Sequence, residues 1–205
     1  MSSSSHGQTN SAAVDLWFDP VCPFSWNTAR WLTDVVGPDL RWHLMSLSVL
    51  NEGQTLPPPQ QKRMDDSRLV GRLMTAVDAE LGQDGLVTAY FDFGARYFEA
   101  GAPVDEQLAT RVLAAAGTRM TTAAAMLDET LDSAVRRSHE LSQDALGMAG
   151  GSPMMTVGGS TFFGPVLTAV PDSGSRRPLY DAVVTLASAP QFSQIQRPRS
   201  EQTGH

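Results

Sequence analysis

The sequence predicts an α/β protein in which a strand–helix–strand unit and a strand–strand–helix unit flank a long helical block. Three observations predict it. Apolar residues alternate with period two near both ends of the chain, at 14–18 and 40–50 and again at 153–157 and 160–164. Between them, 57–147 carries helical spacing instead. Glycine and proline punctuate the boundaries, as at Gly37-Pro38 and Gly158-Gly159.

The first dozen residues are polar and serine-rich and are expected to be disordered. VDLWF (14–18) is rich in β formers and reads as a buried strand. Through Asp19-Pro20 it enters a helix from about Cys22 to Val36, stopped by Gly37 with Pro38 behind it. LRWHLMSLSVL (40–50) reads as a second strand, with Leu40, Trp42, Leu44 and Ser46 on one face. LPPPQQ (56–61) reads as a linker. Helices are predicted near 62–82, 85–99, 105–116 and 127–147, with caps at Asp105, Gly117 and Thr121. PMMTV (153–157) and STFFG (160–164) form a hairpin through Gly158-Gly159. A last helix runs from Leu179 to Ala187, after Pro178. This order is that of the thioredoxin fold with a helical insertion after the second strand. It divides the chain into a tail (1–12), a βαβ half (13–56), the insertion (57–147), a ββα half (148–189) and a C-terminal tail (190–205). A doubly wound nucleotide-binding fold would need a glycine-rich loop after the first strand, and none is there.

Composition narrows the function. The 205 residues are 41% hydrophobic, enough for a real core, and the net charge of −7 argues against nucleic acid or an anionic membrane as partner. No apolar run reaches the roughly 18 residues of a membrane span. The N-terminus has neither a basic nor an apolar signal region, so the reducing cytoplasm is the expected compartment. With one cysteine and four scattered histidines, no metal site is expected.

That one cysteine, Cys22, lies in DPVCPFSW (19–26), where the first strand delivers the chain into a helix. The unpaired N–H groups of a helix N-terminus favour thiolate over thiol, and such sites lower a cysteine pKa from its free value of about 8.5. Pro23 suits the first helical turn. Ser25, three residues on, can direct its hydroxyl at the sulfur, and Phe24 sits at the corner between them. A lone cysteine is more often a small buried hydrophobe, but a core cysteine needs neither a helix start nor a flanking proline. Ser152-Pro153 opens a returning strand, where proline fits at the strand's start or as a cis residue. A cis Pro153 would face Cys22 and leave the Ser152 backbone free for an extended substrate. His139, Arg136 and Arg137 read as a solvated helix face, Met154 and Met155 as core, and the four tryptophans as packing on the sheet.

DLWFDPVCPFSWNTARWL (15–32) and HLMSLSVLNE (43–52) resemble the DsbA-like, mycothiol-dependent nitroreductase family of mycobacteria and related actinobacteria. So do VRRSHELSQDALG (135–147), GGSPMMTVGGSTFFGPVLTAVP (150–171) and QRPRSE (196–201), while 57–125 is least similar. The resemblance implies a thioredoxin fold with a helical subdomain, a nucleophilic Cys22, a cis Pro153 and reducing equivalents from mycothiol or another small thiol. It also implies that Asn51 and the aromatic residue of the motif lie near a bound nitro-compound. Phe24 stands where the family's CPWC has tryptophan, and Ser25 where it has the second cysteine. A dithiol cycle is thereby lost, and monothiol chemistry through a mixed disulfide remains.

The expected function is therefore a cytoplasmic thiol oxidoreductase with Cys22 and Ser25 catalytic. Pro23, Phe24, Asn51, Ser152 and Pro153 form the substrate surface. Its partners are a small-molecule thiol and a small-molecule or disulfide substrate, and a homodimer is left open. The alternatives are a thiol-dependent transferase or isomerase of the kappa-class or 2-hydroxychromene-2-carboxylate type, and a non-catalytic binder on the same fold.

Overall fold

A computed structural model describes residues 13–198. The tail expected to be disordered, 1–12, lies outside the described residues, as does 199–205. Strand β1 (Val14–Phe18) is central, pairing in parallel with β2 (Leu40–Leu44) and antiparallel with β3 (Met154–Val157). Strand β4 (Ser160–Phe163) pairs antiparallel with β3 and gives the order β2-β1-β3-β4. Every residue of β1 is buried because both faces of the sheet are covered. Leu16 pairs with Met155 on the face of the main core, and Trp17 with Met154 on the other face. Gly158 and Gly159, at φ 59° and 82°, supply the two left-handed positions of a tight hairpin turn.

Helix α1 (Pro23–Val36) starts immediately after Cys22, its N-cap residue, and ends at Gly37, whose φ of 70° favours glycine. The second strand is shorter than the sequence reading. It stops at Leu44, and Ser46 accepts a hydrogen bond from Val49 N–H to cap a short helix, α2 (Leu47–Leu50). A local serine cap competes with strand extension and wins here.

The expected linker is helix from Pro58 onward. Pro57 precedes α3 (Pro58–Gly94), and proline is tolerated in a first turn because its missing N–H has no partner to lose. The two helices expected at 62–82 and 85–99 follow one another with a break at Gly82 (φ 69°, ψ −166°), and a π-helical turn (Ala95–Glu99) ends the run. Helix α4 (Glu106–Ala116) is capped at Asp105, whose carboxylate accepts from Leu108 N–H, and ends at left-handed Gly117. Thr121 is no cap. Its N–H and hydroxyl both go to the Glu80 carboxylate. Helix α5 (Asp132–Leu146) starts five residues later than 127, after two 3-10 turns. Helix α6 (Ser173–Ala187) begins before Leu179 and carries Pro178 inside it.

One core joins the insertion to the sheet. Val70, Leu73, Met74, Leu86, Ala89, Tyr90 and Phe93 of α3 pack with Phe18, Trp26 and Trp42. Each large apolar side chain buried there stabilises the fold by about 1.5–3 kcal/mol. Gly94 lets α3 approach α1, because a Cβ at that position would lie 2.3 Å from Trp26 Cζ3. His139, expected on a solvated face, is 6% exposed, and its Nδ1 has no hydrogen-bond partner among the described residues. Its burial follows from α5 lying against the sheet, where Ser138 donates to Leu44 O at 2.5 Å. Arg136 keeps an exposed ion pair with Glu52.

Candidate active site

The chain leaves β1 through Asp19, which is fully buried. Its carboxylate accepts three hydrogen bonds, from Val21 N–H (2.9 Å), Leu47 N–H (2.7 Å) and the Ser67 hydroxyl (2.5 Å). Ser67 Oγ in turn accepts from Ser48 N–H at 3.1 Å. One side chain thus ties the β1–α1 turn to the start of α2 and to α3. Its backbone does the rest. Asp19 O accepts from Cys22 N–H at 3.1 Å, and Asp19 N–H donates to Ser152 Oγ at 2.8 Å. Burial pushes the Asp19 carboxyl up from its ordinary value of 3.8, against the pull of its hydrogen-bond donors and of Arg63. The sequence reading treated Asp19 as part of a turn. An acid inside the apolar run LWFDPV was the available signal.

Cys22 is 3% exposed, and its thiol donates to Ser152 O at 3.3 Å. The helix start was expected to lower its pKa, and the balance goes the other way. Burial pushes the thiol up. The Ser25 N–H and hydroxyl and the Phe24 N–H pull it down, and the Asp19 charge adds to the rise. Removing the last water from a charge outweighs a few well-placed dipoles. Ser25 is fully buried, with Oγ 2.5 Å from Ser152 Oγ.

The structure therefore brings Cys22, Ser25 and Ser152 into one contact cluster, with Pro153 buried behind them after a cis Ser152–Pro153 peptide. The Ser152 carbonyl, expected to be free for substrate, is used by the Cys22 thiol. Pro23 and Phe24 are half-buried at the rim. Asn51 caps the end of α2 one turn from Leu47. Its amide Nδ2 donates to Leu47 O at 2.8 Å and to Met64 Sδ at 3.5 Å, and Leu47 N–H in turn donates to Asp19.

Tyr90 of α3 is a further neighbour the sequence reading missed. Its ring lies 4.3 Å from Phe18 and 5.7 Å from Trp26, centroid to centroid. Its hydroxyl is buried without a partner among the described residues, and burial, Cys22 and Asp19 all push its pKa well up. Among the described residues no group of three or more His, Cys, Asp or Glu side chains could hold a metal ion. No helix there is long and apolar enough to cross a membrane.

Chemically, the cluster offers one sulfur at a helix start, two N–H groups and a hydroxyl near it, and a carbonyl. With a single cysteine in the chain, no internal disulfide can form.

The chain is 31% identical over 199 residues to the uncharacterized protein Rv2286c of Mycobacterium tuberculosis, covering 91% of this chain and 82% of that one. Its fold is similar to a putative protein disulfide isomerase from Nitrosomonas europaea, with a TM-score of 0.52, 10% identity, and 84% and 98% of the two chains covered. A periplasmic thioredoxin-like protein from Salmonella enterica serovar Typhimurium gives a TM-score of 0.51, 18% identity, and coverage of 85% and 82%. Residues 21–197 match the family described as mycothiol-dependent nitroreductase Rv2466c. The chain belongs to that Rv2466c-like family, and with it to the thiol oxidoreductases of thioredoxin fold.

Proposed function

We propose that this protein is a cytoplasmic, mycothiol-dependent thiol-transfer enzyme that works through Cys22 alone. The observation that carries the reading is the placement of the only cysteine at the start of α1, with its thiol on the Ser152 carbonyl and Ser25 held against the Ser152 hydroxyl. Cys22 attacks a disulfide, taking one half as a mixed disulfide and releasing the other as a thiolate. An external thiolate then attacks the outer sulfur of that mixed disulfide, and Cys22 leaves as a thiolate. No net electrons enter the protein. Mycothiol, when bound, supplies a reducing thiol. Phe24 N–H, Ser25 N–H and the Ser25 hydroxyl favour the thiolate of Cys22 that such an exchange needs. Once Cys22 carries no proton, the Ser152 carbonyl is released to accept from the partner's amide. Pro23, Phe24 and Asn51, all half-buried, form the surface it meets.

The burial of Cys22 favours a second reading, a binder without turnover, in which the thiol is part of the packing. Intact-mass analysis after incubation with oxidised mycothiol separates the two. The first reading expects one adduct per chain, absent in Cys22→Ala and removed by fresh thiol. Ser25→Cys should shed that adduct and close an internal disulfide instead. No adduct on the wild type at any pH would overturn the first reading in favour of the second.

A further inference from the structure

Arg63 stands on α3 one turn before Ser67, and residues four apart share a helix face. Ser67 is buried, with its hydroxyl on the Asp19 carboxylate at 2.5 Å, and Arg63 is exposed. That face therefore runs outward from the Asp19 turn to solvent. Met64, the next residue, receives the Asn51 amide at 3.5 Å, beside the surface assigned above to substrate. The Arg63 charge also reaches inward, pulling down the carboxyl of buried Asp19 and the phenol of Tyr97.

The fold itself makes no use of this guanidinium. Arg63 forms no hydrogen bond or ion pair among the described residues. The carboxylates nearest it along the helix are engaged elsewhere. Asp66 accepts from Lys62 at 2.8 Å and from the Tyr97 hydroxyl at 3.2 Å, and Asp65 accepts from Gln61 at 3.1 Å. Arg72 and Arg136, by contrast, are matched to Asp132 and Glu52. Thiol exchange gives an unmatched cation at this place a task. The reacting form of Cys22 is an anion, Asp19 lies three residues from it, and the chain carries a net charge of −7. A disulfide that bears carboxylates approaches against like charge, which slows encounter, whereas a neutral one does not.

We infer that Arg63 is a specificity-determining residue that draws carboxylate-bearing small-molecule disulfides to Cys22. This deepens the proposed function and rests on Cys22 being the reacting sulfur. The guanidinium takes one carboxylate of the substrate in a charge-assisted hydrogen bond and leaves the disulfide toward the start of α1. The Cys22 thiolate bonds to one sulfur, the substrate S–S bond breaks, and the other half leaves as a thiolate with its own carboxylate. No oxidant or reductant is consumed in that step.

The test is the rate of adduct formation on Cys22, read by intact mass, with three disulfides of similar size: dithiodiglycolate, neutral hydroxyethyl disulfide and dicationic cystamine. The measured quantity is the ratio of the dithiodiglycolate rate to the hydroxyethyl disulfide rate. Arg63→Gln should lower it by about fivefold to tenfold at low salt, the size of one charge acting across several ångströms near a surface. Arg63→Glu should lower it further and favour cystamine, while Arg63→Lys should hold it near the wild-type value. At about 1 M salt, where screening acts within about 3 Å, the variants should converge. The inference is overturned if Arg63→Gln and Arg63→Glu keep the wild-type ratio. It is equally overturned if Arg63→Lys falls as far as Arg63→Gln, since charge would then not be what counts. A second readout needs no reaction. In Cys22→Ser, the NMR signal of the Arg63 side-chain Nε–H should shift saturably with dithiodiglycolate and not with hydroxyethyl disulfide. An unmoved signal overturns the inference even where Cys22 exchanges. A shift without any adduct on the wild type overturns the thiol-transfer reading instead and leaves the anion site standing.

Discussion

Arg72 in the helical insertion and Asp19 at its seam with the sheet are both buried charged side chains, and the fold treats them oppositely. Arg72 is 6% exposed and forms a two-pronged pair with Asp132, at 2.6 and 2.8 Å, with Met126 O as a third acceptor. The Asp132 carboxylate pushes the guanidinium pKa up, and the guanidinium holds the carboxylate below its ordinary range. Asp19 is fully buried and, among the described residues, is met by N–H and O–H groups and by no salt bridge. Burial raises its pKa, and its neutral donors and the charge of Arg63 offset that only in part. A paired charge is fixed in one protonation state and serves as a clamp. A carboxylate held by neutral donors keeps the option of protonation, and this one sits three residues from Cys22.

The sharpest break of the comparison is Asp132→Ala. It leaves a buried guanidinium without its carboxylate and should cost about 3–4 kcal/mol of unfolding free energy, measured by denaturant titration. Arg72→Met removes charge and partner need together, and should cost under about 1 kcal/mol because Asp132 is part-exposed and can turn to water. Equal costs for the two would mean that the pair contributes by shape alone.

Asp19→Ala comes next, at about 2 kcal/mol, since three donors lose an acceptor while a buried charge is also removed. Its pH dependence has the opposite sign to that of Asp132. The folded pKa of Asp19 lies above 3.8, so between 3.8 and the raised value the folded state binds more protons, and stability falls as pH rises through that window. The folded pKa of Asp132 lies below 3.8, so its contribution is complete above 3.8 and is lost as pH falls through the folded value. Unfolding free energies of both variants across acid pH should therefore diverge from wild type in opposite directions. Parallel curves would remove the distinction between the two sites.

The difference between these regions also marks what a sequence can disclose. Strand alternation, Asp105, Gly37 and Gly117 are local signals, written within one turn of the place where they act, and the elements they bound are found there. The start of α1 at Cys22 is local in the same way. Asp19 is not: two of its three donors come from residues 28 and 48 positions away, and its own N–H goes 133 positions to Ser152. The thiol of Cys22 failed the local argument for the same reason. The helix start was legible, but the burial that outweighs it is supplied by chain segments whose approach no spacing in DPVCPFSW encodes. Ser46 shows the converse, a local cap legible in principle but masked by the apolar alternation around it.

Tyr90 supplies the smallest test and the one that bears most directly on the seam. Its ring belongs to the core, 4.3 Å from Phe18, 5.7 Å from Trp26 and 6.2 Å from Trp42. Its hydroxyl has no acceptor among the described residues. Burial first, and then any charge on Cys22 or Asp19, pushes its pKa well up and keeps it a neutral phenol. A buried O–H without a partner costs about 1–3 kcal/mol, and deleting one from an otherwise intact ring recovers part of that. Tyr90→Phe should therefore raise the unfolding free energy by about 1 kcal/mol, as a higher denaturant midpoint at unchanged slope. The Cys22 ionisation midpoint should stay where it is in wild type. A loss of stability would show that the hydroxyl has an acceptor in solution, and the Cys22 sulfur and the Asp19 carboxylate are the charged groups close enough to act on it. The same variant then identifies which: an upward move of the Cys22 midpoint assigns the phenol to the sulfur, and an unmoved one assigns it to Asp19.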